Sequence, residues 1–69
     1  MNVLCPVTGN MWKITKSVGA KVASGEEIAI LESMKMEIPV EAPSAGTIAE
    51  WKVKEGASCI EGAVLAVIA

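Results

Sequence analysis

Six residue types are missing from the 69-residue chain: histidine, aspartate, arginine, tyrosine, phenylalanine and glutamine. Without histidine and aspartate there is no Ser/His/Asp triad, no Cys/His dyad and no histidine-based metal site. Without arginine there is no planar guanidinium group to bind phosphate or guanine. No remaining set of residues supplies a general base, a nucleophile and oxyanion stabilisation together, so we expect a protein that is not itself an enzyme.

The charge and hydropathy of the chain disfavour two classes of partner. The formal net charge is −2, the pI is about 4.9 and the six lysines are scattered, so nucleic acid is not an expected ligand. No apolar run approaches the roughly 20 residues that span a bilayer, and no charged leader precedes an apolar stretch. We therefore expect a cytosolic protein that does not contact a membrane.

The short length limits the core. A chain of this size predicts one domain, residues 1–69, which buries only about 60% of the surface that the unfolded chain exposes. Its apolar residues should therefore be committed to packing. Cys5 and Cys59 form no C-x-x-C pair, and we expect both to be reduced, buried, small apolar residues. A disulfide or a reactive thiol is the alternative.

The six glycines fall into two triplets with identical internal spacing. Gly46 follows Gly9 by 37 positions, and the same offset relates the other members of the triplets, two prolines and several apolar residues. The chain is therefore a duplicated unit in which residues 1–32 match residues 38–69, and only residues 33–37 have no counterpart. The triplets are Gly9, Gly19, Gly25 and Gly46, Gly56, Gly62.

Each copy consists of short apolar stretches separated by turns. Glycine and proline interrupt helices throughout, and no window keeps the helical apolar spacing over three turns. Two β units that each expose an apolar face bury those faces most simply about a quasi-two-fold axis, which predicts an all-β sandwich or flattened barrel. The predicted strands are 3–5, 11–15, 28–31, 38–42, 47–53 and 64–68.

The unduplicated segment lies between two strand-like arms, so we predict a hairpin with Met34 and Lys35 at or near its tip. The quasi-two-fold axis would place the chain ends at the opposite end of the molecule and leave Lys35 accessible. A lysine at such a tip is most simply a solvated surface charge. Its functional interpretation is an acceptor, because an enzyme that docks over the tip can desolvate and deprotonate the amine, which then attacks an activated acyl group.

The residues beside Lys35 have two interpretations each. Met34 and Met36 are soft apolar side chains without a solubility benefit at a tip, so they either pack against the end of the core or form a collar that a partner recognises. Both interpretations can hold, one for each methionine. Glu32 and Glu37 flank the tip symmetrically, either as solvated strand-end charges or as groups that orient an incoming enzyme.

The run Glu32-Ser33-Met34-Lys35-Met36-Glu37 resembles the biotin attachment motif of biotinyl domains, the carrier modules of biotin-dependent carboxylases and decarboxylases. The resemblance implies a flattened eight-stranded β-barrel made of two four-stranded sheets. It covers nearly the whole chain, and the other segments similar to the family are residues 6–9, 12–13, 18–19, 24–25, 42–48 and 53–56.

The resemblance implies that a biotin protein ligase uses ATP to join biotin to the amine of Lys35. It further implies a non-catalytic carrier that moves carboxybiotin from a biotin carboxylase to a carboxyltransferase, which acts on an acyl-CoA or a keto acid. We expect the isolated carrier to be a monomer, and Met1 directly before the domain favours a free-standing protein over an excised fragment. Beside Lys35 we expect Met34 and Met36 to serve in recognition, and Ser33, Glu32 and Glu37 to contact the ligase.

Two alternatives remain open at this stage. A lipoyl carrier shares the fold and the displayed lysine, but typically has an acidic residue before the lysine and a small residue after it, where this chain has Met34 and Met36. An unmodified docking module explains the duplication but leaves a lysine between two methionines without a purpose. Trp12 and Trp51 are not repeat mates, so we predict a separate packing role for each, with contact to a ligase or carboxylase as the alternative.

Overall fold

The computed structural model describes all 69 residues and contains eight β-strands and no helix, so no helix could cross a membrane. The strands form two four-stranded antiparallel sheets, which confirms the predicted all-β sandwich or flattened barrel. We call the sheet with order β1-β8-β6-β3 the terminal sheet and the sheet with order β5-β4-β2-β7 the hairpin sheet. The strands are β1 (Asn2–Leu4), β2 (Gly9–Ile14), β3 (Lys21–Val22), β4 (Glu27–Ser33), β5 (Met36–Glu41), β6 (Gly46–Trp51), β7 (Ser58–Cys59) and β8 (Val64–Ile68).

The offset of 37 positions converts the terminal sheet into the hairpin sheet. Under this offset β2 maps onto β6 and β3 onto β7 residue for residue, and the strand order of one sheet becomes that of the other. The irregularities of pairing are duplicated too, since the register shift between Met11 and Lys13 recurs between Ile48 and Glu50. The quasi-two-fold symmetry predicted from the glycine spacing is therefore present in the backbone.

The core consists of 14 buried residues, and the repeat relates all of them in seven pairs. No polar or charged side chain is buried among them. Cys5 and Cys59 are both buried and not joined to each other, as predicted. Burial raises the pKa of the Cys59 thiol, and the neighbouring Cys5 adds to the shift. The pairs are Val3 and Val40, Cys5 and Ala42, Met11 and Ile48, Val22 and Cys59, Ile28 and Leu65, Ala29 and Ala66, and Leu31 and Ile68.

A β-bulge in β4 explains why two consecutive residues of that strand face the core. Regular pleating would place Ile28 and Ala29 on opposite faces. The pairing with β5 shifts register between Glu27 and Ala29, and both Ile28 and Ala29 are fully buried. The extra residue restores the alternation of side chains beyond the bulge, so the residues on either side of this buried pair face outward.

Six strands match the predicted ones to within a few residues, whereas β3 and β7 were not predicted from the sequence.

The two tryptophans differ in their environments. Trp51 packs against the core and its indole N–H donates a hydrogen bond to the carbonyl oxygen of Lys16 at 2.8 Å, as a packing role predicts. The packing prediction for Trp12 is wrong, because this side chain is 43% exposed. Trp12 is the extra residue at the register shift in β2, where the strand turns it away from the core.

The chain ends lie together in the terminal sheet. The amino group of Met1 donates to the carbonyl oxygen of Ile68 at 2.6 Å, and the N–H of Ala69 donates to the carbonyl oxygen of Thr47 at 2.8 Å. Because the repeat maps Ala69 onto Glu32, the ends and the arms of the β4–β5 hairpin occupy symmetry-related positions in different sheets.

Two glycines of the second copy should respond differently to alanine substitution. A Cβ on Gly46 would lie 2.5 Å from both the carbonyl oxygen of Ala69 and Cγ2 of Ile68, so the strands must separate. A Cβ on Gly56 meets nothing within 4 Å, and only its φ of +88° is unfavourable. We expect Gly46→Ala to lower the free energy of unfolding by about 2–3 kcal/mol and Gly56→Ala by about 1 kcal/mol. Urea unfolding followed by tryptophan fluorescence measures both, and equal losses would contradict the close approach at Gly46.

Candidate functional site

The unduplicated segment forms the turn of the β4–β5 hairpin. Ser33 at the end of β4 pairs with Met36 at the start of β5, which leaves Met34 and Lys35 as a two-residue loop. Their φ angles are 52° and 65°, and positive φ at both central residues is the signature of a type I′ turn. Lys35 therefore stands at the tip of the hairpin, as predicted.

The backbone of this turn is strained. Type I′ turns favour Asn-Gly because side chains with a Cβ are disfavoured at positive φ, by roughly 1–2 kcal/mol per residue. Met34 and Lys35 are the only residues other than glycine with positive φ in the chain. The long antiparallel arms hold the turn in this conformation, because pairing continues from Ser33 down to Glu27. The fold thus sustains an unfavourable turn at the position of Lys35.

The side chains at the tip are exposed. Met34 is 92% exposed and Met36 is 61% exposed, so neither methionine packs into the end of the core and that interpretation is excluded for both. Lys35 is exposed as well, and the ion pairs of the chain involve Lys16 and Lys52 but not Lys35. The arrangement presents a primary amine between two solvent-exposed thioether side chains.

The tip end of the hairpin is attached to the loop between β1 and β2. The hydroxyl of Ser33 donates to the carbonyl oxygen of Thr8 at 2.8 Å, and the hydroxyl of Thr8 accepts a hydrogen bond from the N–H of Glu61 at 3.0 Å. The neighbouring Gly9 lies so close that a Cβ there would be 2.5 Å from the carbonyl oxygen of Glu32. These contacts limit the positions that the hairpin can adopt relative to the rest of the sheet.

All six predicted site residues lie at this end of the hairpin. Met34 and Lys35 form the loop, Ser33 and Met36 close it, and Glu32 and Glu37 are the next cross-strand pair. The sequence did not single out Thr8 as a positioning residue, although Pro6-Val7-Thr8-Gly9 is among the segments similar to biotinyl domains. The only indication of this role in the sequence was that Thr8 directly precedes Gly9.

A change of the loop to the residues that its backbone prefers should stabilise the fold. We expect Met34→Asn with Lys35→Gly to raise the free energy of unfolding by about 2 kcal/mol, because both strained φ angles are relieved. Met36→Ala is the matched control, since Met36 lies in a strand and its exposed side chain contributes little to stability. Chemical denaturation measures all three proteins, and an unchanged or lower stability of the double variant would contradict the strained turn.

Comparison with known proteins agrees with this geometry. The family model described as "Biotin-requiring enzyme" matches residues 3–68. The biotin/lipoyl attachment protein of Bacillus subtilis is 48% identical over 65 residues, which cover 94% of this chain and 89% of that protein. The biotin carboxyl carrier protein of acetyl-CoA carboxylase from Solanum lycopersicum is 37% identical over 60 residues, covering 87% and 86% of the two chains.

A solved structure shows the same fold within a much larger protein. The crystal structure of the Kluyveromyces lactis urea carboxylase superimposes with a TM-score of 0.94 and 32% identity, and the match covers 100% of this chain and 6% of the urea carboxylase chain. Family model, sequence relatives and fold agree with the resemblance seen at residues 32–37. The chain therefore belongs to the biotin/lipoyl attachment domain family.

Proposed function

We propose that the chain is a biotin carboxyl carrier and that Lys35 is the residue to which biotin is attached. The observation that carries this proposal is the tip itself: an accessible amine on a strained two-residue turn, between two exposed methionines. A lysine that serves only as a solvated charge needs neither a strained backbone nor apolar neighbours without packing partners. Both features are accounted for if another protein must recognise and reach this amine.

The chemistry required of the chain at this site is simple. The deprotonated amine of Lys35 attacks the acyl carbon of an activated biotin, an amide bond forms, the bond to the activating group breaks, and the base takes up the amine proton. The ligase supplies the activation and the base, while the carrier supplies an accessible nucleophile. Amide formation removes one positive charge and changes the formal net charge from −2 to −3.

The flanking residues divide the remaining tasks. Met34 and Met36 provide soft apolar contact on both sides of the amine, because thioether side chains adapt to an apolar partner surface. Glu32 and Glu37 lie opposite each other, one cross-strand pair further from the loop than Ser33 and Met36, and provide negative charge for contact with the ligase. Ser33 holds the hairpin to Thr8 through its hydroxyl, next to the loop that the ligase must contact.

After attachment the domain acts as a carrier and not as a catalyst. Bound biotin would carry a carboxyl group between the active sites of a biotin carboxylase and a carboxyltransferase. A tethered group has a high effective concentration at each site that it can reach. The attachment of the hairpin next to its tip supports this task, because it restrains one end of the tether. We propose an isolated monomer in the cytosol, where the free Cys5 and Cys59 thiols remain reduced.

Intact-mass spectrometry tests this proposal directly. The folded chain is incubated with biotin, ATP and a biotin protein ligase, and in parallel with lipoate and a lipoate ligase. We expect one biotin-sized increment on the wild-type chain, none on Lys35→Arg and one on Lys54→Arg, the matched control that alters another exposed lysine. Circular dichroism establishes that both variants fold.

The other outcomes identify the alternatives. A lipoyl-sized increment alone would indicate a lipoyl carrier. The absence of either increment on the folded wild-type chain would favour an unmodified docking module. A biotin increment that persists in Lys35→Arg would move the attachment site to another lysine.

A further inference from the structure

The outer face of the hairpin sheet carries an apolar strip. The register shift in β2 places Trp12 and Lys13 opposite Ile30 of β4, and Ile30 in turn pairs with Pro39 of β5. Trp12 is 43% exposed, Ile30 is half-buried and Pro39 is exposed. The ammonium group of Lys13 lies 5.4 Å from the centre of the Trp12 ring, so both side chains are on this face. Three apolar side chains thus lie in a row across three strands.

Two cross-strand pairs of glutamates border this strip. Glu32 pairs with Glu37 between the strip and the tip, and Glu27 pairs with Glu41 on the other side of the strip. All four are exposed, and none belongs to an ion pair. Like charges directly opposite each other destabilise an antiparallel sheet, so this arrangement opposes folding.

The terminal sheet shows that the fold does not require these residues. At the positions related by the repeat, the apolar strip is replaced by Ala49, Val67 and Asn2. The distal glutamate pair is replaced by Val64 and Leu4, which pair with each other in the same way. Because the two sheets share one backbone design, the tryptophan and the glutamates are specific to the sheet that carries Lys35.

The area needed for recognition extends beyond the tip. A specific protein–protein interface buries about 800 Å² on each partner, roughly a fifth of the 4085 Å² surface of this chain. The side chains of a two-residue loop do not supply such an area. Strands rise about 3.4 Å per residue, so the strip begins roughly 13 Å from Lys35 and the distal glutamates lie roughly 20 Å from it. An enzyme whose active site receives Lys35 can therefore cover this face in one interface.

We infer that the outer face of the hairpin sheet, from the tip through the Trp12 strip to Glu27 and Glu41, is the surface on which the ligase that modifies Lys35 docks. The inference rests on the proposed function. The complementary surface of the ligase is an apolar ridge between two rows of lysine or arginine side chains. The strip provides the apolar contact, while the glutamate pairs on both sides fix the direction of approach and accelerate encounter.

Steady-state biotinylation kinetics with a purified biotin protein ligase tests this surface. Glu27→Gln with Glu41→Gln should raise KM about fivefold at low ionic strength, leave kcat unchanged and weaken the dependence of KM on salt. Trp12→Ala should raise KM about tenfold. Glu41→Gln alone should raise KM about twofold, whereas Glu50→Gln, which removes the same charge from the terminal sheet, should not change it.

Thermal unfolding separates this interpretation from a structural effect. The Glu27→Gln and Glu41→Gln variant relieves a like-charge pair, so its melting temperature should be equal to or higher than that of the wild type while its KM is worse. If the wild type is biotinylated and both the double glutamate variant and Trp12→Ala keep its KM and salt dependence, the docking surface is refuted and the carrier function stands. If the wild type is not biotinylated at all, the proposed function itself fails.

Discussion

Burial of seven repeat-related residue pairs is the interaction on which the rest of the structure depends. Each half contributes the same set of positions, and neither half could bury its apolar face without the other. The core itself contains no polar side chain. The polar contacts between the halves lie around it, in the backbone pairing of strands from one half with strands from the other. The shape of the core also fixes how the halves meet, through matched bulges that turn Ile28 with Ala29, and Leu65 with Ala66, inward together. A domain of 69 residues has few other sources of stability.

Because the symmetric core stabilises the fold, the hairpin can contain a backbone conformation and side-chain pairs that are unfavourable by themselves. The turn places Met34 and Lys35 at positive φ, and the arms beside it carry glutamates opposite glutamates. Each feature opposes folding. The turn has no counterpart in the repeat, and the pair of Glu27 and Glu41 is replaced by Val64 and Leu4 in the terminal sheet. In many proteins, backbone strain and unfavourable side-chain pairs cluster at functional sites. Here they cluster around one lysine, and the repeat provides the reference against which they are recognised.

The glycine spacing predicted the duplication, and with it the quasi-two-fold axis. The short apolar stretches between glycine and proline predicted the all-β class, and the strand-like arms around residues 33–37 predicted the position of Lys35 at a hairpin tip. Strands β3 and β7 could not be found in the same way, because two residues carry no periodic signal. The exposure of Trp12 was missed since it depends on the register shift in β2, which no alternation of residues indicates. The contact between Ser33 and Thr8 joins residues 25 positions apart, and only the folded chain brings them together. Sequence left the methionines with two interpretations, and their exposure excludes packing into the core.

The adjacency of the two termini has a consequence for how such a unit is built into larger proteins. Asn2 pairs with Val67 in the terminal sheet, and the amino group of Met1 donates a hydrogen bond to the backbone carbonyl oxygen of Ile68. A longer polypeptide that contained this unit would enter and leave it at one place, without a detour across its surface. The module would then be attached at a single point, and it could rotate as a rigid body while its internal strand pairing stayed intact.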